Sequence, residues 1–140
     1  MSEISEGSGE SIFDADDVEI EKAVLHDVTR VAREAGFLLP VALSKGAWEE
    51  CVAWAPADNE RKGTVQSEEG RLWDVLWMAV NAIRVQRRRM IAPFESLLFC
   101  MLRVPREGKT KTPEAVKLTL VYALRDELEP VITIYLPDEE

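Results

Sequence analysis

The segment Gly70 to Arg89, GRLWDVLWMAVNAIRVQRRR, constrains the fold more than any other part of the chain. Leu72, Val75, Leu76, Ala79 and Ile83 recur at the i, i+3, i+4, i+7 spacing of one helix face. Trp73, Trp77 and Val80 form a second apolar stripe beside the first. A helix apolar over most of its circumference is buried on two sides, or holds one side against a partner. Its end, Arg84, Arg87, Arg88 and Arg89, suits the negative end of the helix dipole.

The last third supplies what this helix covers. Phe94 to Val104 is apolar and β-compatible, and 105–113 is a charged loop containing Gly108. Val116, Leu118, Leu120 and Tyr122 alternate with Lys117 and Thr119, the period of a strand with two unlike faces. Val131 to Leu136 is a third strand between Pro130 and Pro137. Three strands on short connections predict an antiparallel meander. The fold class expected is α+β: N-terminal helices, then one long central helix packed on a C-terminal three-stranded antiparallel sheet.

Ahead of that helix the signals are shorter. Asp14 is a plausible N-cap for a short helix leading into an extended piece near Val24 to Val28. Thr29 is read as the cap of a helix through Ala35, stopped by Gly36. Phe37 to Leu43 reads as an extended connector, because Pro40 bars a central strand position. Ser44 starts a helix through about Trp54, with Trp48, Val52 and Cys51 directed inward. Residues 55–69 are polar, contain Pro56 and Gly63, and read as a mobile loop. The organisation expected is a flexible acidic tail over 1–12 and a single α+β domain over 13–140.

The charge is uneven. The 140-residue chain carries a formal −9, and residues 1–27 hold nine of its acids against one lysine, so −8 of it sits there. The body is nearly neutral. Whole-surface binding to nucleic acid or to an anionic membrane is therefore disfavoured. A basic protein surface remains a suitable target for the leader, through Asp14, Asp16, Asp17, Glu19 and Glu21. The basic run Arg84 to Arg89 would meet either a partner or this leader folding back. No start resembling a signal peptide and no long apolar run is present. Cys51 and Cys100 are expected as buried, reduced thiols in a cytoplasmic protein.

Catalytic signatures are missing. His26 is the only histidine and has no second ligand at zinc spacing. The run Asp14 to Glu21 fails the calcium-loop pattern, with Glu19 and Leu25 where glycine and glutamate belong. Neither a phosphate-binding glycine loop nor a nucleophile elbow occurs. No catalytic residue, cofactor or metal is expected. Exposure of Trp73 or Trp77 would mark an interface, and a homodimer through this helix or the terminal strand edge is the expected assembly.

The blocks REAGFLLPVALSKGAWEECVAW (Arg33 to Trp54), GRLWDVLWMAVNAIR (Gly70 to Arg84), MLRVPREG (Met101 to Gly108) and EPVITIYLP (Glu129 to Pro137) resemble a small family of uncharacterised proteins. Its members are carried on bacterial plasmids, integrative elements and phages. The resemblance runs from about Val24 to Pro137 and leaves out the acidic leader. It brings no catalytic residues with it. It implies a non-enzymatic inhibitor that binds a basic surface of a host defence complex. The most specific form is an anti-CRISPR protein blocking DNA binding or nuclease recruitment. The alternative is an adaptor of plasmid maintenance or conjugation, and a further one an enzyme with an unfamiliar site.

Overall fold

The computed structural model describes residues 25–89, 96–125 and 129–139. The elements are β1 (His26–Asp27), α1 (Thr29–Ala35), β2 (Val41–Leu43), α2 (Lys45–Cys51), α3 (Pro56–Lys62), α4 (Glu68–Arg89), β3 (Ser96–Arg103), β4 (Glu114–Arg125) and β5 (Glu129–Tyr135). The fold is α+β, with four helices and a mixed sheet of five strands among the described residues.

The expected meander is present. β3 pairs antiparallel with β4, and β4 with β5. The expected three-stranded sheet is too small, however. β2 adds to β5 in parallel, and β1 adds antiparallel to β2, giving the order β1-β2-β5-β4-β3. Pro40 does not bar this, because the strand begins at the next residue. The Pro40 carbonyl accepts the Ile132 N–H at 2.9 Å, so the proline serves the ladder as an acceptor only. A three-residue strand is too short to show alternation in sequence.

The long helix is where its periodicity puts it. Leu72, Val75, Leu76, Ala79 and Val80 are buried against one sheet face, with Ile83 half-buried at the margin. That face presents Phe99, Met101, Leu118, Leu120, Ile132, Ile134, Val41 and Leu43, all buried. α1 contributes Ala32 and Ala35, and α2 contributes Ala47 and Cys51, to the same core. Each fully buried Leu or Ile contributes about 1.5–3 kcal/mol against exposure.

Several local expectations shift. Thr29 is the first helical residue of α1, not its cap. The N-cap is Val28, and Asp27 just ahead of it braces the first turn: its Oδ1 accepts from the Thr29 N–H at 3.0 Å and the Thr29 hydroxyl at 2.6 Å. Gly36 does end α1, at φ +118°. Ser44 caps α2 by accepting from the Ala47 N–H at 3.1 Å, but the helix stops at Cys51, ahead of Trp54. Residues 55–69 are not a loop. They hold α3, with Pro56 in its first turn, Asp58 accepting from the Ala55 N–H at 2.8 Å, and Gly63 in the left-handed region at its end. Of the two cysteines only Cys51 is buried; Cys100 is exposed on β3. The short helix expected from Asp14 and the tail over 1–12 lie outside the described residues.

Candidate functional site

α4 has an inner stripe committed to the core, so the stripe on its far side is free to do something else. Trp73 and Trp77, one turn apart, are both on it, 37% and 45% exposed. Their rings stack with centroids 6.2 Å apart and planes 15° from parallel. Two turns on, the Arg84 guanidinium lies 6.0 Å from the Trp77 ring centroid. The three side chains form a ladder along the helix, ring on ring and then cation by ring. Asn81 lies between them and donates its Nδ2 hydrogen to the Trp77 carbonyl at 2.7 Å. Met78 and Val85 extend the exposed apolar area on one flank.

Gly36 helps position the ladder's basic end. A Cβ built there would lie 3.2 Å from Arg84 Nη2 and 3.6 Å from Val80 Cγ2. The bare glycine backbone lets Arg84 pack alongside the end of α1. Arg87 and Arg88 follow on the helix, both exposed.

The start of α4 is held by buried polar chemistry. Arg71, only 5% exposed, donates from Nε to the Val52 carbonyl at 3.2 Å. Its Nη1 reaches the Val104 carbonyl at 2.9 Å and Gln66 Oε1 at 2.7 Å. The guanidinium carbon lies 4.5 Å from the Trp54 ring centroid. Arg71 Nη2 has no hydrogen-bond partner among the described residues. Burial pushes its pKa down.

Beside it, Lys62 donates to the carbonyls of Pro105, Glu107 and Thr110 at 2.5, 3.1 and 2.6 Å. Asp58 pairs with Arg61 and Arg106, each at 2.8 Å. The Arg61 hydrogen bond first, then the Ala55 N–H, lower the Asp58 pKa to about 2. α3 and the loop over 104–110 are thereby clamped to the end of the sheet. The sequence gives a partial signal for this clamp, in Pro56, Asp58 and Gly63, but none for its partners.

The remaining chemistry-bearing side chains separate. His26 stacks face to face on Trp48, ring centroids 4.3 Å apart, and lines an open cavity with Lys45, Glu49 and Arg106. Cys51 sits inside the core, where burial raises its thiol pKa to about 11 and leaves it a poor nucleophile at neutral pH. Asp74 lines a cavity of about 200 Å³ with Arg71 and Arg103. Arg103 is already committed, to the Glu50 carboxylate at 2.5 Å and to the Glu50 and Glu114 carbonyls. Asp14, Asp16, Asp17, Glu19, Glu21 and Glu95 lie outside the described residues.

Among the described residues no group of three or more His, Cys, Asp or Glu could hold a metal ion. No helix among them is long and apolar enough to cross a membrane. Comparison with family models, with curated proteins and with solved structures found no match to this chain.

Proposed function

We propose that this chain is a non-enzymatic binding protein that recognises another protein through the Trp73–Trp77–Arg84 ladder. The observation that carries this reading is the exposed, stacked tryptophan pair on a helix whose opposite side is fully used by the core. Tryptophan and arginine dominate binding energy at protein interfaces, tryptophan because it brings large, rigid contact area at small entropic cost. The pair is already stacked in the free chain, so little side-chain freedom is left to lose on binding.

The partner we propose is a surface of a bacterial defence complex, with the chain acting as an inhibitor encoded by a mobile element. An anti-CRISPR protein that blocks DNA binding or nuclease recruitment is the most specific form of the proposal. Two features of the sequence support it: the resemblance to proteins of plasmids, integrative elements and phages, and the acidic leader, suited to a basic groove. The leader would speed encounter and the ladder would supply affinity.

The test is affinity capture of CRISPR effector complexes with the full chain, its Trp73→Ala/Trp77→Ala variant, and a variant with Asp14, Asp16, Asp17, Glu19 and Glu21 made amides. Truncating a hot-spot tryptophan costs about 2 kcal/mol or more, roughly thirtyfold in affinity. The tryptophan variant should lose capture, and the amide variant should bind more slowly with a weaker dependence on salt. Capture of replication or transfer proteins instead would move the function to plasmid maintenance. Equal binding by the tryptophan variant would refute the role given to the ladder.

A further inference from the structure

All the helices that contact the sheet pack on one of its faces. The other face follows from the strand registers. One cross-strand row is Leu98–Thr119–Tyr135, and the next is Ser96–Val121–Thr133–Ala42. Cys100 pairs with Lys117, Leu102 with Ala115, and Ala123 with Val131. Among the described residues this face has no second layer. Leu98 and Leu102 are 56% and 66% exposed, and Cys100, Ala115 and Ala123 are exposed beside them. A sheet face turned to water normally alternates to polar residues. Strands that stay apolar on both faces belong to sheets covered on both sides. β3, SLLFCMLR, is apolar on both faces yet described helices cover only one.

We infer that this open face is the contact surface of a homodimer, each copy supplying the missing layer of the other. The area fits. Strands rise about 3.4 Å per residue and lie about 4.8 Å apart, so the face over β3, β4 and β5 with the short β2 and β1 projects to roughly 500 Å². Protruding side chains raise the accessible area above the projection, toward the roughly 600 Å² per partner at the lower end of specific interfaces. A two-fold contact brings the same patch to itself, so Leu98 and Leu102 meet an apolar surface of equal size. Charge is sparse around Leu98 and Leu102, where Lys117 is the one charged residue of the paired positions; Asp27, opposite Ala42, and Glu129 lie at the far end of the face. Pairing two β3 edges would bury the strand's open backbone row but leave these leucines in water.

The proposal is independent of the ladder, which lies on the helix layer. The full chain should sediment near twice its 15.8 kDa at tens of micromolar. Leu98→Asp/Leu102→Asp should sediment as a monomer with an unchanged far-ultraviolet circular dichroism spectrum, since both side chains are more than half exposed. Trp77→Arg should remain a dimer. Maleimide labelling gives a second reading: Cys100 should react at least tenfold more slowly at high protein concentration than in the double-aspartate variant, with Cys51 unreactive in both. A monomeric full chain overturns the proposal, and protection of Cys100 in that monomer would show the face covered from within one chain. A dimer that survives the double substitution also overturns it, and its loss in Trp77→Arg would place the contact on α4.

Discussion

Replacing Arg71 by methionine tests whether buried polar chemistry holds the start of α4. Methionine keeps most of the unbranched stem and the packing on Trp54, and removes the three donor contacts. Two of the acceptors left behind are backbone carbonyls, of Val52 and Val104, on residues that are themselves buried. Each orphaned buried carbonyl costs about 1–3 kcal/mol. Against this, the substitution relieves the fold of a buried cation whose Nη2 is unpartnered, which returns on the order of 1–3 kcal/mol. The central values leave a net loss of about 2 kcal/mol, which lowers Tm by about 6–8 °C in a chain of this size. Urea unfolding followed by tryptophan fluorescence measures it, with Trp54 beside the substitution as reporter. Gln66→Ala run alongside closes a double-mutant cycle, in which the Arg71–Gln66 coupling should be at least 0.5 kcal/mol. A variant as stable as the parent, or more so, would refute the reasoning. It would mean that an apolar filler satisfies this site as well as the clamp does.

Three further outcomes follow from the same geometry. Asp58 titrates near 2 in the folded chain, below its ordinary value near 4, so it contributes stability above about pH 4 that is lost as pH falls toward 2; thermal melts should show Asp58→Asn less stable than the parent at pH 7, with the gap closing between pH 4 and 2. Gly36→Ala should lose about 1–3 kcal/mol, because φ +118° is closed to a side chain and the new methyl crowds Arg84, and Trp77 emission should shift as the guanidinium moves. Ser44→Ala removes the N-cap of α2 and the hydroxyl that donates to Glu139 at 2.5 Å, and should cost roughly 1–2 kcal/mol in denaturant titration.

The parts of the fold legible in the sequence are those whose signal is long and local. α4 is written in a period sustained over five turns, and β3, β4 and β5 in runs bounded by proline, glycine or charge. His26–Asp27 and Val41–Leu43 fall inside segments that read as extended, but their membership of the sheet is not legible, because β2 joins it only through β5, far away in sequence, and β1 only through β2. α3 was misread because Asp58, Arg61 and Lys62 look like solvent-facing charges. Their partners, Arg106 and the carbonyls of the loop over 104–110, are more than forty residues distant. Cys100 was misplaced for a related reason: apolar neighbours in sequence say that a strand is apolar, not which of its faces is covered.

That last error and the open sheet face have one cause. In a strand alternating with period two, Phe99 and Met101 go to the helix layer, and Leu98, Cys100 and Leu102 are forced to the other side. Leu98 and Leu102 stabilise the described fold little, since more than half of each stays in water. They also raise the tendency of the sheet to associate. A chain that only needed to cover its helix layer would be more soluble with serine, threonine or lysine at these positions, as at Lys117 on the neighbouring strand. The tryptophan ladder poses the same question on the helix layer, where Trp73 and Trp77 stabilise the fold less than two buried residues would. The domain thus carries surplus apolar surface on two opposite layers, each in excess of what its own core uses. One layer is an extended sheet face, which the proposed second copy would cover. The other is narrow and aromatic with a cation at its end, the shape of an anchor for a different protein. A dimer closed through the sheets would leave both ladders facing outward, so that one assembly could engage two sites on a large complex, and the gain in avidity would disappear in Leu98→Asp/Leu102→Asp while the affinity of each single ladder stayed the same.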